Sequence, residues 1–144
     1  VAEKVVMHSP CSVLVARGLE RGHGHLLCTD GSESALHMVK RAGAISKRIN
    51  SKLSVMAVAE DVESEDDAQK NVDAAVAELK MLGVEPVKAF TRVGNPFEEI
   101  ISAGDDYSFI VVGSTGKTGL KRFFMGSVSF KVMEHAKHSV IIVR

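Results

Sequence analysis

The residues with the most chemical potential lie between Ile110 and Ser129, in the stretch IVVGSTGKTGLKRFFMGSVS. Ile110, Val111 and Val112 have the character of a buried strand, which breaks at Gly113. A second glycine follows at Gly116. After nine intervening residues comes Gly126-Ser127, where Val128, Val132, Met133 and Ala136 set up a helical pattern. A strand thus ends in a glycine-rich loop that closes on a helix start carrying a hydroxyl. Glycines admit positive φ and let backbone N–H groups come close to a ligand. A helix N-terminus adds N–H groups without helical partners and the positive end of its dipole. The combination suits an anion, above all a phosphate chain. Gly116-Lys117-Thr118 invites a P-loop reading, but that motif needs glycine where Val111 stands, inside the strand.

Periodicity gives the elements that must hold this loop. His25 to Thr29 is a short apolar strand running into Asp30-Gly31-Ser32, and a helix follows to about Asn50. Ala35, Met38, Ala42, Ile45 and Ile49 share one face of it, with Leu36 and Val39 widening the stripe. Leu53 to Ala59 is a second strand, and the acidic run Glu60 to Asp67 is a solvated loop and helix start. The next helix sets Val72, Ala75, Val76, Leu79 and Leu82 on one face and stops at Gly83. Pro86 to Val93 is a third strand, polar enough to predict a sheet edge. Asn95-Pro96-Phe97-Glu98 has the cap, N1 proline and N3 glutamate of a helix start, and that helix buries Phe97, Ile100 and Ile101 before Gly104. The stretch at Ile110 supplies a fourth strand and Val140 to Val143 a fifth. Alternating strands and helices demand a parallel sheet covered on both faces, with right-handed crossovers. Asp30 either caps the first helix or, lying just past a first strand, accepts ribose hydroxyls.

The full spacing G-x2-G-x9-G-S resembles the nucleotide-binding branch of the universal stress protein family, and Thr29-Asp30-Gly31-Ser32 looks like that family's first-strand motif. The resemblance covers almost all of residues 25–144. It implies a five-stranded parallel α/β sheet of order 3-2-1-4-5, of the Rossmann-like, adenine nucleotide alpha-hydrolase-like kind. Winding then reverses between strands 1 and 4, and ligands bind at such a switch point. It further implies that Thr29 and Asp30 meet the nucleoside and that Val58 contacts adenine. Gly113, Ser114, Thr115 and Gly116 would wrap the ribose and first phosphates. Gly126, Ser127, Val128 and Ser129 would hold the remaining phosphates. Lys117, Lys121 and Arg122 read as a solvated basic loop. The expected ligand is ATP with Mg²⁺, held by a nucleotide-dependent switch or sensor of stress. The alternatives are a slow ATP hydrolase or nucleotidyl transferase, and an assembly domain that binds no nucleotide. Hydrolysis would need a group to activate water, and Asp30 is the one candidate the sequence offers. The chain departs from the family in its short first strand and in Cys28, where proline or an aliphatic residue is usual.

At 144 residues the chain can bury one ordinary core. Eighteen basic and eighteen acidic residues cancel, which argues against nucleic acid as a partner. No apolar run reaches the length of a membrane span. Cys11 and Cys28 lack metal-type spacing, so both read as inert buried thiols in a reducing cytoplasm. His23 and His25 read as solvated linker residues. Residues 2–17 align with residues 129–144 at an offset of 127, with six identities in sixteen positions. A period this long suggests domain duplication. Together with a first residue that is valine, it divides the chain into the tail of a preceding sister domain (1–17), a linker (18–24) and a universal-stress-type domain (25–144). The last strand is β-branched and uncharged, so it should pair antiparallel with residues 13–16, within one chain or in a homodimer.

Overall fold

Along the central strands, even-numbered side chains pack on one face of a sheet and odd-numbered ones on the other. Leu26, Met56, Ile110, Val112, Val140 and Ile142 belong to one apolar cluster, whereas Leu27, Val55, Ala57, Ala59, Val111 and Val143 belong to a second. A sheet buried on both faces follows, as the continuous apolar runs require. The computed structural model describes residues 2–18, 23–114 and 126–144. In chain order these form α1 (Ala2–His8), β1 (Val13–Val15), β2 (His25–Cys28), α2 (Glu33–Ile49), β3 (Leu53–Ala59), a 3₁₀ turn (Val62–Ser64), α3 (Glu65–Met81), β4 (Ala89–Val93), α4 (Pro96–Gly104), β5 (Phe109–Gly113), α5 (Ser127–His135) and β6 (Ser139–Val143).

The sheet order is β1-β6-β5-β2-β3-β4. The five strands from β2 to β6 are parallel and in the expected order, and β2 lies between β3 and β5. A sixth strand extends the expected five, because β1 pairs antiparallel with β6. Helices α2 and α3 cover one face, while α4 and α5 cover the other. Val6 of α1 is buried in the α4–α5 cluster, and Val13 and Val15 pack against it. The polar third strand is at the edge, as its composition predicts, but it is shorter than expected. Residues 86–88 only lead in, with Val87 N–H donating to Leu53 O and Val55 N–H to Lys88 O. Among the described residues, no helix is long and apolar enough to cross a membrane.

Three local expectations need correction. The buried face of α2 runs through Ala35, Met38, Val39, Ala42, Gly43 and Ser46, leaving Ile45 and Ile49 at 45% and 60% exposure. Gly43 turns that face, because it lets Leu79 of α3 and Leu82 just after it come so close that a Cβ there would sit 2.7 Å from Leu79 Cδ2. His25 is not a solvated linker residue. It is buried as the first residue of β2, edge-on to the Phe109 ring at 4.9 Å, and burial lowers its pKa. Cys11 is exposed rather than buried. The helix ends agree better. Asn95 accepts from Glu98 N–H with Pro96 at N1, and Gly83 at φ +77° ends α3 while Val84 N–H reaches back to Leu79 O.

Candidate functional site

Thr29 and Asp30 leave the end of β2, and Gly113 ends the neighbouring strand β5. Chains leaving these two strands turn toward opposite faces, β2 into α2 and β5 into α5, so the carboxyl ends open a crevice between them. A cleft of about 470 Å³ lies there. Of the residues singled out from the sequence, Thr29, Asp30, Val58, Gly113, Gly126, Ser127, Val128 and Ser129 line it. Thr115 and Gly116, like Lys117, Lys121 and Arg122, fall outside the described residues.

Hydrogen bonds fix the turn at Asp30 from several sides. Thr29 N–H donates to Met56 O, continuing the β2–β3 ladder by one residue. Thr29 Oγ1 accepts from Gly31 N–H at 3.2 Å, and Asp30 Oδ1 accepts from Ser32 N–H at 3.0 Å. The cap of α2 is Ser32, whose Oγ accepts from Ala35 N–H at 3.1 Å. Asp30 is therefore not the helix cap.

On the other bank, the two ends of the glycine-rich loop are tied together. Ser129 Oγ donates to Gly113 O at 2.7 Å, Ser114 N–H donates to Val143 O, and Gly126 N–H donates to Ser114 O. Ser114 is buried beside the cleft, with its N–H committed to β6 and its carbonyl to Gly126. Gly126 precedes α5 at φ −58° and ψ 146°, which any residue can adopt. Among the described residues no side chain caps α5, and its first residues, Ser127 and Val128, line the cleft, where a helix N-terminus offers N–H donors to an anion.

Between the banks is a wall that sequence reading found only in part. Cys28, Met56, Val58 and Val112 occupy even-numbered positions on one sheet face, and Ile100 of α4 closes over them. Period-two alternation from Val58 would have reached Met56. Burial pushes the Cys28 thiol up to about 12, so it lines the wall as an un-ionised apolar group. The opposite rim is polar. Glu60, Ser64, Asp67 and Asn71 line it from the end of β3 and the start of α3. This adds Glu60 and Asp67 to Asp30 as carboxylates at the cleft. Among the described residues, no group of three or more His, Cys, Asp or Glu is arranged to hold a metal ion. An apolar slot, a carboxylate turn and a helix N-terminus in one crevice match the three parts of a nucleotide: base, ribose and phosphate.

Known proteins agree with this architecture. The universal stress protein MJ0577 of Methanocaldococcus jannaschii is 33% identical over 81 residues, which are 55% of this chain and 49% of that protein. The chain thus matches about half the length of that relative. The universal stress protein MJ0531 of the same organism is 29% identical over 133 residues, covering 81% of this chain and 78% of the other. A solved universal stress protein in complex with cAMP superposes with a TM-score of 0.67 at 27% identity, over 83% of this chain and 94% of that one. A universal stress protein structure from Archaeoglobus fulgidus superposes over 99% of this chain but 53% of its own, with a TM-score of 0.73 at 19% identity. The model of the universal stress protein family matches residues 25–144, and the chain belongs to that family.

Proposed function

We propose that this chain is an adenine-nucleotide-binding module of stress response, and that its ligand is ATP with Mg²⁺. What carries the reading is the convergence of Asp30, the Met56–Val58 wall and the Gly126–Ser127 helix start on one cleft at the switch point. Adenine would enter the apolar slot against Met56, Val58, Val112 and Ile100. Asp30 would accept from ribose hydroxyls, and the α5 N-terminus would take phosphate oxygens alongside Gly113. Mg²⁺ would arrive with the phosphates. The cAMP complex of a relative at 27% identity supports adenine as the base. Two free thiols, Cys11 and Cys28, accord with a reducing cytoplasm as the setting.

Residues 2–17 fit the closing helix and strand of a sister domain, so the β1–β6 ladder is the pairing that two such domains, or two copies, would make. The binding reading is tested by titration calorimetry with Mg–ATP on the protein and on Gly126→Val. A branched side chain there should abolish binding while circular dichroism stays native. Binding of ATP with unchanged affinity by the valine variant would overturn the phosphate assignment.

A further inference from the structure

Asn71 belongs to α3, far in sequence from both strand ends, yet it lines the same cleft. Its Nδ2 donates to the backbone carbonyl of Asp30 at 3.2 Å, across 41 residues. Its side-chain amide also lies over Gly31, which adopts φ +76°. A Cβ at Gly31 would fall on the Asn71 amide, so this glycine leaves room for that contact as well as for the turn. The bonds from Gly31 N–H to Thr29 Oγ1 and from Ser32 N–H to Asp30 Oδ1 are local and fix the shape of the turn. The Thr29–Met56 ladder bond ties the turn to β3, and the Asn71 bond ties it to α3.

We propose that Asn71 is a positioning residue for the nucleoside. It holds the Asp30 backbone so that the carboxylate meets the ribose hydroxyls, and it thereby makes the cleft selective for ribonucleotides over nucleotides lacking those hydroxyls. The inference rests on the nucleotide reading above. Asparagine is suited to the role because an amide N–H can donate to a carbonyl while staying uncharged beside a carboxylate. Aspartate at 71 would have the same shape but would offer an acceptor to the Asp30 carbonyl.

The experiment compares Kd for ATP with Kd for 2′,3′-dideoxy-ATP, both with Mg²⁺, in wild type, Asp30→Ala, Asn71→Ala, Asn71→Asp and Gly31→Ala. Wild type should prefer ATP by about tenfold or more, the scale of a hydrogen bond to a charged group. Both Asn71 variants should lose most of that preference while binding dideoxy-ATP within about twofold of wild type. Gly31→Ala should do the same, and combining it with Asn71→Ala should add little, since both break one contact. A role confined to stability would lower the thermal midpoint without changing the ratio. A wild-type ratio retained in Asn71→Ala and Asn71→Asp, while Asp30→Ala abolishes it, overturns the inference alone. A ratio unchanged in Asp30→Ala overturns the ribose reading and the inference with it.

Discussion

Arg17 and Arg144 occupy corresponding places at the ends of two antiparallel strands, and each reaches the helix of the other's unit. Arg17 N–H donates to Ser139 Oγ at 2.8 Å, and Arg144 N–H donates to Ser12 Oγ at 3.1 Å. Arg17 Nη1 caps α5 at Ala136 O, while Arg144 Nη2 caps α1 at Val6 O and Met7 O. The ladder between them pairs Val13 with Ile142, Leu14 with Ile141 and Val15 with Val140. With the 127-residue offset of the repeat, that register is symmetric about the Leu14–Ile141 pair. A twofold rotation would generate these contacts, and one side of each is the sequence repeat of the other.

Removing one arginine should therefore loosen one unit. Arg144→Ala frees the last carbonyls of α1, which favour a cation at that end of the dipole. Amide exchange across residues 2–15 should speed about tenfold or more, the effect of losing about 1.5–3 kcal/mol of charged hydrogen bonding. Amides of β2 and β3 should be unaffected. Exchange unchanged at residues 13–15 would show that the strand pairing alone holds α1 and β1.

Gly43 gives a stability prediction. It is the point where α2 and α3 approach each other, against Leu79 and Leu82. Gly43→Val should cost about 1–3 kcal/mol through overpacking, read as a lower urea midpoint with an unchanged slope. Stability equal to wild type would mean that the two helices can move apart without cost.

This contact also marks where sequence and structure part. The expected α2 stripe ran on from Ala35, Met38 and Ala42 to Ile45 and Ile49, but the buried face turns instead to Gly43, where the α3 side comes close, and Ser46. Periodicity reports that a face exists; neighbouring helices decide its angle. The strand order came from the family resemblance, whereas the two strand ends that form the cleft banks were readable because glycine spacing and strand ends are local signals. Asn71 was not, since one polar residue among Ala68, Val72 and Ala75 carries no mark of its tertiary partner. His25 was misread for a related reason. The strand start at His25 was expected, but a histidine beside a glycine looks solvated, and only the Phe109 ring and Ser51 hydroxyl around it account for its burial.

That burial makes His25 a pH-dependent element. Its folded pKa lies below the ordinary 6.5, so the unfolded chain takes up the proton first. The stability contributed by neutral His25 is fully present above pH 6.5 and is lost as pH falls through its folded value. Urea midpoints should therefore fall between pH 7.5 and 5.5 more steeply in wild type than in His25→Asn. Parallel pH profiles for the two proteins would remove His25 from the acid sensitivity.

The two thiols offer a direct report on the cleft. Cys11 is exposed, whereas Cys28 is half-buried in the cleft wall, where desolvation pushes its pKa up to about 12. At pH 8 a group with that pKa is thiolate in only about one molecule in 10⁴, and the thiolate is the species that alkylates. A maleimide should label Cys11 quickly in the native protein and Cys28 only slowly, with two equivalents reached at once after unfolding. Because Cys28 borders the slot assigned to adenine, saturating Mg–ATP should slow its labelling further and leave Cys11 unchanged. The Cys11→Ser variant isolates the slow phase, and Gly126→Val should remove its response to ATP. Protection of Cys28 by ATP that persists in Gly126→Val would separate the base slot from the phosphate loop. No protection in the wild type, at ATP concentrations where calorimetry shows saturation, would move the base away from Met56 and Val58.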